Sequence, residues 1–276
     1  MHFSRLNTLL LMIFAVINIF FVYPSRAQEP SYQWSGQKDI PLLGIGALGT
    51  TASLILRAQN DALTVRQMNQ LVRSDLPAID ENAIKNYSTR AQQASDVLLY
   101  TSYALPLASF LIPEARQEFG IITIMLAESI LINETLTGLT KNLVNRPRPY
   151  TYNDDLSDDI RTNPNNNLSF FSGHTSYTAM FSFFSAQVLT NYIENPASKV
   201  ALWTGAALLP AATGFFRYEG GKHFVTDVLV GYAVGAAVGY FIPKIHQHQR
   251  KRMDSKSSAL QLDRKASMPL RLVFVF

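Results

Sequence analysis

His223 and Asp227 stand four residues apart, one helical turn, so both side chains can face the same way. An Asp one turn from a His accepts the Nδ1 proton, leaves Nε2 free and supports positive charge on the ring. A free, oriented Nε2 is what a nucleophile or base requires. Gly220-Gly221 should turn the chain just before this pair. Arg217 lies just upstream, placed to hold an oxyanion. A capped helix carrying a solvated His–Asp pair would show the same residues, so the pair alone leaves two readings open.

Two further segments add chemistry. Lys141 is followed by Arg146-Pro147-Arg148-Pro149, and Phe170-Phe171-Ser172-Gly173-His174-Thr175 comes later. A phosphate ester needs cations and hydrogen-bond donors around its oxygens and a nucleophile in line with the leaving group. Lys141, Arg148 and Arg217 supply three positive charges, and an arginine fork can hold two oxygens at once. Ser172 offers a hydroxyl. Gly173 and His174 offer backbone N–H groups at the start of a helix, where orphan donors and the dipole favour an anion.

Lys-x6-Arg-Pro, then Ser-Gly-His, then Arg-x5-His-x3-Asp resembles the three-part signature of the type 2 phosphatidic acid phosphatase and vanadium haloperoxidase superfamily. The resemblance covers residues 119–243. It implies that His223 is the nucleophile and forms a phosphohistidine, that Asp227 orients it, and that His174 protonates the leaving alcohol and then activates water. It implies no metal or other cofactor, because the three cations do the electrostatic work. Two positions depart from the pattern. Phe171 stands where Pro is usual and Phe216 where Ser is usual, which predicts a more apolar pocket rim.

The elements that must position these residues are apolar helices. The chain has 276 residues, 47% of them hydrophobic and 16% charged, a low charge content for a soluble protein. It has no cysteine, which excludes disulfides, thiolate metal sites and a Cys nucleophile. The net charge of +4 is gathered near the C-terminus without a basic stripe interleaved with aromatics, so nucleic acid is not an expected partner. Hydrophobic runs predict helices over 97–112, 119–140, 175–193, 200–216 and 224–242. With alternating directions, the three motif junctions meet at one end of an all-α bundle of five to six apolar helices. Their lengths are near the spanning requirement of about 20 residues. Gly205, Gly231, Gly235 and Gly239 give small-residue faces of the kind that membrane helices pack on.

Four segments are expected. Residues 1–27 read as a signal peptide, with an apolar core and Ser25-Arg26-Ala27 at its end. Residues 28–96 read as an amphipathic, surface-lying segment on the periplasmic side, in which 40–56 is short for a membrane span. Residues 97–243 form the catalytic core, and 244–276 a basic tail. The tail carries eight basic and two acidic residues, which puts it in the cytoplasm and the motifs on the outer face of the inner membrane. A span over 40–56 following a cleaved signal would reverse that orientation.

Several polar residues have quieter readings. Arg146 is expected as a solvated neighbour, with a fourth anion ligand as the alternative, and Asp154, Asp155, Asp158 and Asp159 as a solvated loop over the site mouth rather than a calcium site. Glu134 shares a helix face with Lys141. His246 and His248 fall in the basic tail, where they could bind a metal, although a disordered tail is the expected state. Leu270 to Phe276 alternates apolar residues like an edge strand. The function expected is metal-independent hydrolysis of a phosphomonoester or diphosphate on a lipid, of the phosphatidic acid, isoprenyl diphosphate or lipid A kind. The alternatives are a soluble periplasmic broad-range acid phosphatase and a vanadate-dependent haloperoxidase.

Overall fold

The computed structural model describes residues 30–247. The signal-peptide reading of 1–27, His248 and the alternating segment at Leu270 to Phe276 lie outside the described residues. Six long helices form the body: α1 (Gly36–Ala58), α2 (Thr89–Tyr103), α3 (Phe119–Val144), α4 (Gly173–Leu189), α5 (Pro196–Glu219) and α6 (Val225–His246). Among the described residues there is no β-strand, and Tyr32 and Gln247 form an isolated antiparallel bridge.

Several helices of this bundle turn polar side chains inward and apolar ones outward, around a core that also holds Ile122, Met125, Phe181 and Phe184. On α3 the buried side chains include Glu128, Ser129, Asn133, Thr135 and Thr137, while Phe119, Leu136 and Leu143 are exposed. On α1, Asp39 and Ser53 are buried, while Ile40, Ile45, Leu48, Leu54 and Ile55 face outward. Exposing so many large apolar side chains to water would be costly. Hydrocarbon surroundings remove that cost, and some of the buried hydroxyls donate to backbone carbonyls inside, Ser129 Oγ to Met125 O at 2.8 Å and Thr135 Oγ1 to Gly46 O at 2.9 Å. α1, α5 and α6, and α3 with the turn that follows it, are long and apolar enough to cross a membrane. This is an all-α, membrane-type fold.

Two close approaches set the packing. Gly231, Gly235 and Gly239 recur every fourth residue along α6, and a Cβ on any of them would collide with the α4 backbone at Ser172, Ser176 or Met180. The small-residue face therefore brings these two helices into backbone contact. Gly205 lies in open space and plays no such part. α1 lies along α3 through Gly46 and Gly49, against Leu131 and Thr135.

The segment read as short at 40–56 belongs to a helix of 23 residues, because Ser35-Gly36 starts it early and helical geometry continues through Pro41. Its length meets the spanning requirement. α2 also departs from expectation. It starts at Thr89, capped by Ser88 Oγ, which accepts from Ala91 N at 3.2 Å, and it gives way to a 3-10 segment over Leu105–Leu111 at Pro106. The boundary expected at 96/97 thus falls inside a helix. Its polar residues Ser95 and Asp96 look like surface positions in sequence, but Ser95 is fully buried in the bundle.

Candidate active site

Helix direction brings five helix ends to one end of the bundle. α3 and α5 arrive there by their C-terminal turns, carrying Lys141 and Arg217. α4 and α6 depart from it, with His174 in the first turn of one and His223 just before the other. The C-terminal turn of α1 adds Arg57. A cavity of about 330 Å³ lies between them, lined by Arg57, Lys141, Arg148, Arg217 and Lys222 together with His174 and Tyr150. No carboxylate is among its lining residues, so the field inside favours an anion.

The cations are held mainly by neutral groups, and among those lining the cavity Arg217 also faces a carboxylate, Asp96 Oδ1 at 3.6 Å. Lys141 Nζ donates to the Leu168 carbonyl at 2.8 Å and lies 3.4 Å from that of Ser169. Arg148 donates through Nε to Asn165 O at 2.7 Å and through Nη1 to Lys222 O at 2.9 Å. Arg217 Nη1 is 3.3 Å from Ser95 Oγ, and its buried Nε has no hydrogen-bond partner among the described residues. Lys222 Nζ sits 4.8 Å from the centre of the Tyr150 ring. Burial and the neighbouring Arg148 and Arg217 lower its pKa to about 8.

His223 is buried beneath this wall. Its Nε2 is 3.3 Å from Arg148 Nη1, and its Nδ1 is 3.5 Å from Asp227 Oδ2. Burial, then Arg148, Lys141 and Arg217, push its pKa well below the ordinary histidine value, so the ring is neutral. The turn that delivers it needs Gly221. That residue has φ +68°, and a side chain there would strike the Asn86 carbonyl.

Asp227 is engaged more widely than a simple orienting partner. Its Oδ1 accepts from Arg146 Nη1 at 2.5 Å, and its Oδ2 from Ser169 Oγ at 2.5 Å and from Phe224 N at 3.0 Å. Arg146, expected as a solvated neighbour, is a bridge: its Nη2 reaches the fully buried Asp80 at 2.8 Å, and its guanidinium lies 4.1 Å over the Phe224 ring. Asp80 also accepts from the backbone and hydroxyl of Thr226. A chain of contacts from Asp80 through Arg146 to Asp227 therefore fixes the first turn of α6.

His174 has a partner that the motifs do not contain. Its Nε2 lies 2.8 Å from Asp96 Oδ1, and the same oxygen is 3.6 Å from Arg217 Nη1. Burial and Arg217 lower the His174 pKa to about 4, while Asp96 opposes them. Arg57, Asp80, Asp96 and Lys222 all escaped the sequence reading. Their signal was weak: single charged residues in polar stretches, without fixed spacing to the motifs.

Other expected positions stand further back. Ser172 is fully buried as the N-cap of α4, 2.9 Å from Thr175 Oγ1, and does not line the cavity. Gly173 borders a second cavity beside the first. Phe171 is buried and meets Phe170 edge to face; neither it nor Phe216 lines either cavity, so the apolar rim expected from them is absent. Glu134 accepts from Tyr177 Oη at 2.5 Å. The acidic loop is tied down, with Asp154 paired to Arg73 at 2.9 Å and to Arg161 at 3.5 Å.

Known proteins resemble this chain in sequence and in fold. The PAP2 superfamily model matches residues 122–251. A lipid A 4'-phosphatase of Porphyromonas gingivalis is 27% identical over 140 residues, 50% of this chain and 56% of that protein. The chain thus matches little more than half the length of that relative. The crystal structure of a transmembrane PAP2-type phosphatidylglycerolphosphate phosphatase from Bacillus subtilis aligns with a TM-score of 0.46 and 20% identity, over 78% of this chain and 98% of that one. The match to the PAP2 superfamily spans residues 122–251, which hold every motif position from Lys141 to Asp227.

Proposed function

We propose that this protein is a membrane phosphatase that removes a phosphate group from a lipid through a covalent phosphohistidine. The observation that carries the reading is the junction of two cavities. The cationic cavity shares Arg57, Lys141 and His174 with a second one of about 380 Å³, whose walls include Leu54, Leu99, Tyr103 and Tyr177. A phosphate in the first and an apolar chain in the second suit one amphiphilic molecule. The exposed apolar surface of the bundle favours this reading over a soluble broad-range acid phosphatase.

In the proposed reaction the phosphate is held by Lys141, Arg148 and Arg217, with Arg57 and Lys222 completing the wall. Arg148 moves from His223 to a phosphate oxygen, and Nε2 is released to attack phosphorus. The Nε2–P bond forms as the P–O bond to the leaving group breaks. His174 gives its proton to the departing oxygen, aided by a bound phosphate that offsets Arg217 and raises the His174 pKa from its low resting value. Water then attacks phosphorus, His174 takes its proton, and the P–N bond breaks to release phosphate. Asp227 receives the Nδ1 proton more closely as positive charge grows on His223; hydrogen bonds of this kind are often long before substrate binds.

The substrate class follows the lipid A 4'-phosphatase relative in chemistry only: a phosphate ester on an amphiphile. The basic residues after 243 favour a cytoplasmic C-terminus and a site on the outer face of the membrane; with α1 long enough to span, that orientation needs α1 to start on the cytoplasmic side, against the signal-peptide reading of 1–27. The test is phosphate release by detergent-extracted protein and by His223→Ala, comparing a lipid phosphate with a soluble aryl phosphate. Lipid-selective release that His223→Ala abolishes, with phosphate binding retained, is the expected result. Normal turnover by that variant would sink the covalent route, and equal use of both substrates would favour the broad-range enzyme.

A further inference from the structure

A second constellation lies at the opposite end of the bundle. Asp39 at the start of α1, Glu128 in α3 and His246 at the last turn of α6 converge there, with ligand-capable atoms all within 4.8 Å of one another. α6 separates them from His223 by about 30 Å of helix, at 1.5 Å per residue over 22 residues. His246 belongs by sequence to a basic tail, yet it is 2% exposed, and Asp39 and Glu128 are fully buried.

The hydrogen bonds define an unsatisfied centre. His246 Nδ1 lies 2.7 Å from the Ile242 carbonyl, which can only accept, so Nδ1 carries the proton. Nε2 then faces Asp39 Oδ1 at 3.0 Å and Glu128 Oε2 at 3.3 Å. Neither Glu128 oxygen has a hydrogen-bond partner among the described residues. Asp39 Oδ2 is occupied, accepting from Ser35 N at 2.6 Å, which leaves Oδ1 for the centre. Two buried carboxylates and the ring Nε2 thus meet at one spot, an arrangement that calls for positive charge, from a proton on Nε2 or from a bound cation.

We propose that Asp39, Glu128 and His246 bind a divalent cation of the zinc class, which clamps α1, α3 and α6 together away from the catalytic end. One imidazole nitrogen and two carboxylates suit zinc. Ligand atoms about 2.0–2.1 Å from a tetrahedral zinc are separated by about 3.3 Å, close to the 3.0 and 3.3 Å from His246 Nε2 to Asp39 and Glu128. The Nδ1–H···O=C bond is the outer contact that commonly orients a metal-binding histidine. A cleft lined by Ser35, Lys38, Lys244 and His246 opens beside the centre. The role is structural, so it is independent of the phosphatase reading.

The experiment uses the full chain purified in detergent, stripped with a strong chelator and titrated with Zn²⁺, alongside Glu128→Gln and His246→Ala. Bound zinc is counted by elemental analysis after gel filtration, and Co²⁺ in its place reports coordination through its visible spectrum. The expected result is about one Zn²⁺ per wild-type chain, a higher unfolding temperature with the ion than without it, and an affinity at least tenfold weaker in both variants. Phosphate release by Glu128→Gln at low temperature should match wild type. If wild type retains no ion near equimolar ratio and its unfolding temperature is indifferent to chelator and Zn²⁺, the proposal is overturned and the three groups share protons instead. Wild type alone decides this if a variant fails to fold. Zinc bound equally by well-folded Glu128→Gln would also overturn it.

Discussion

Asp96 Oδ1 lies 2.8 Å from His174 Nε2 and 3.6 Å from Arg217 Nη1, so one carboxylate outside the three motifs touches both a candidate proton donor and a candidate phosphate ligand. It is 43% exposed as a side chain, which leaves it able to follow His174 as charge moves. By its position it sets the ring orientation and opposes the loss of the His174 proton.

Replacing Asp96 by Ala should lower turnover. Asp96 raises the His174 pKa against burial and Arg217, so its loss drops that pKa further below about 4 and shrinks the protonated fraction. The expected loss is about 10²-fold in kcat for an alkyl phosphate, whose leaving oxygen needs the proton. An aryl phosphate, with a better leaving group, should lose less. Comparing kcat for the two esters checks this, and equal losses would argue against a role through His174.

Arg146 is expected to matter for stability as well as rate. It links Asp80 and Asp227, both fully buried, and Arg146→Ala would leave two carboxylates without their cation. Breaking such a pair costs about 3 kcal/mol or more. Arg146→Lys should recover only part, because an ammonium cannot bridge both acids as a fork does. Thermal unfolding in detergent ranks the three proteins, and kcat should fall in the same order as the first turn of α6 loosens.

Lys222 gives a pH dependence with a defined sign. Its pKa is lowered to about 8, so its charge is present below that pH and lost as pH rises through it. Substrate KM should therefore climb above about pH 8 in wild type. Lys222→Arg keeps the charge and should flatten that rise. His223 is already neutral well below the usual histidine range, so no loss of nucleophile is expected between pH 6 and 7. Profiles of KM and kcat against pH for the two proteins separate these effects.

Gly221→Ala tests the turn that delivers His223. The residue has φ +68° and its missing side chain makes room for the Asn86 carbonyl. Strain of this kind costs about 1–3 kcal/mol. The variant should unfold at lower temperature and lose activity together, whereas Gly205→Ala, in open space on α5, should change neither.

The sequence by itself determined the candidate constellation. Lys141, Arg148, His174, Arg217, His223 and Asp227 are legible because each motif has fixed internal spacing, and helix alternation alone brings the motif-bearing ends together. The α6 glycine row was equally visible, because backbone contact at every fourth residue leaves a periodic trace. Only the tertiary structure decided which lone polar residues join the site. Asp80, Asp96 and Arg57 are 50 to 150 residues from their partners in sequence, and nothing local distinguishes an inward-facing Asp from a solvated one. The same holds for Asp39, Glu128 and His246, which meet because α1, α3 and α6 present them at one depth of the bundle. Polar residues face inward here because the outside is apolar, so the rule that sends charge to the surface misreads the helix faces on which these residues lie.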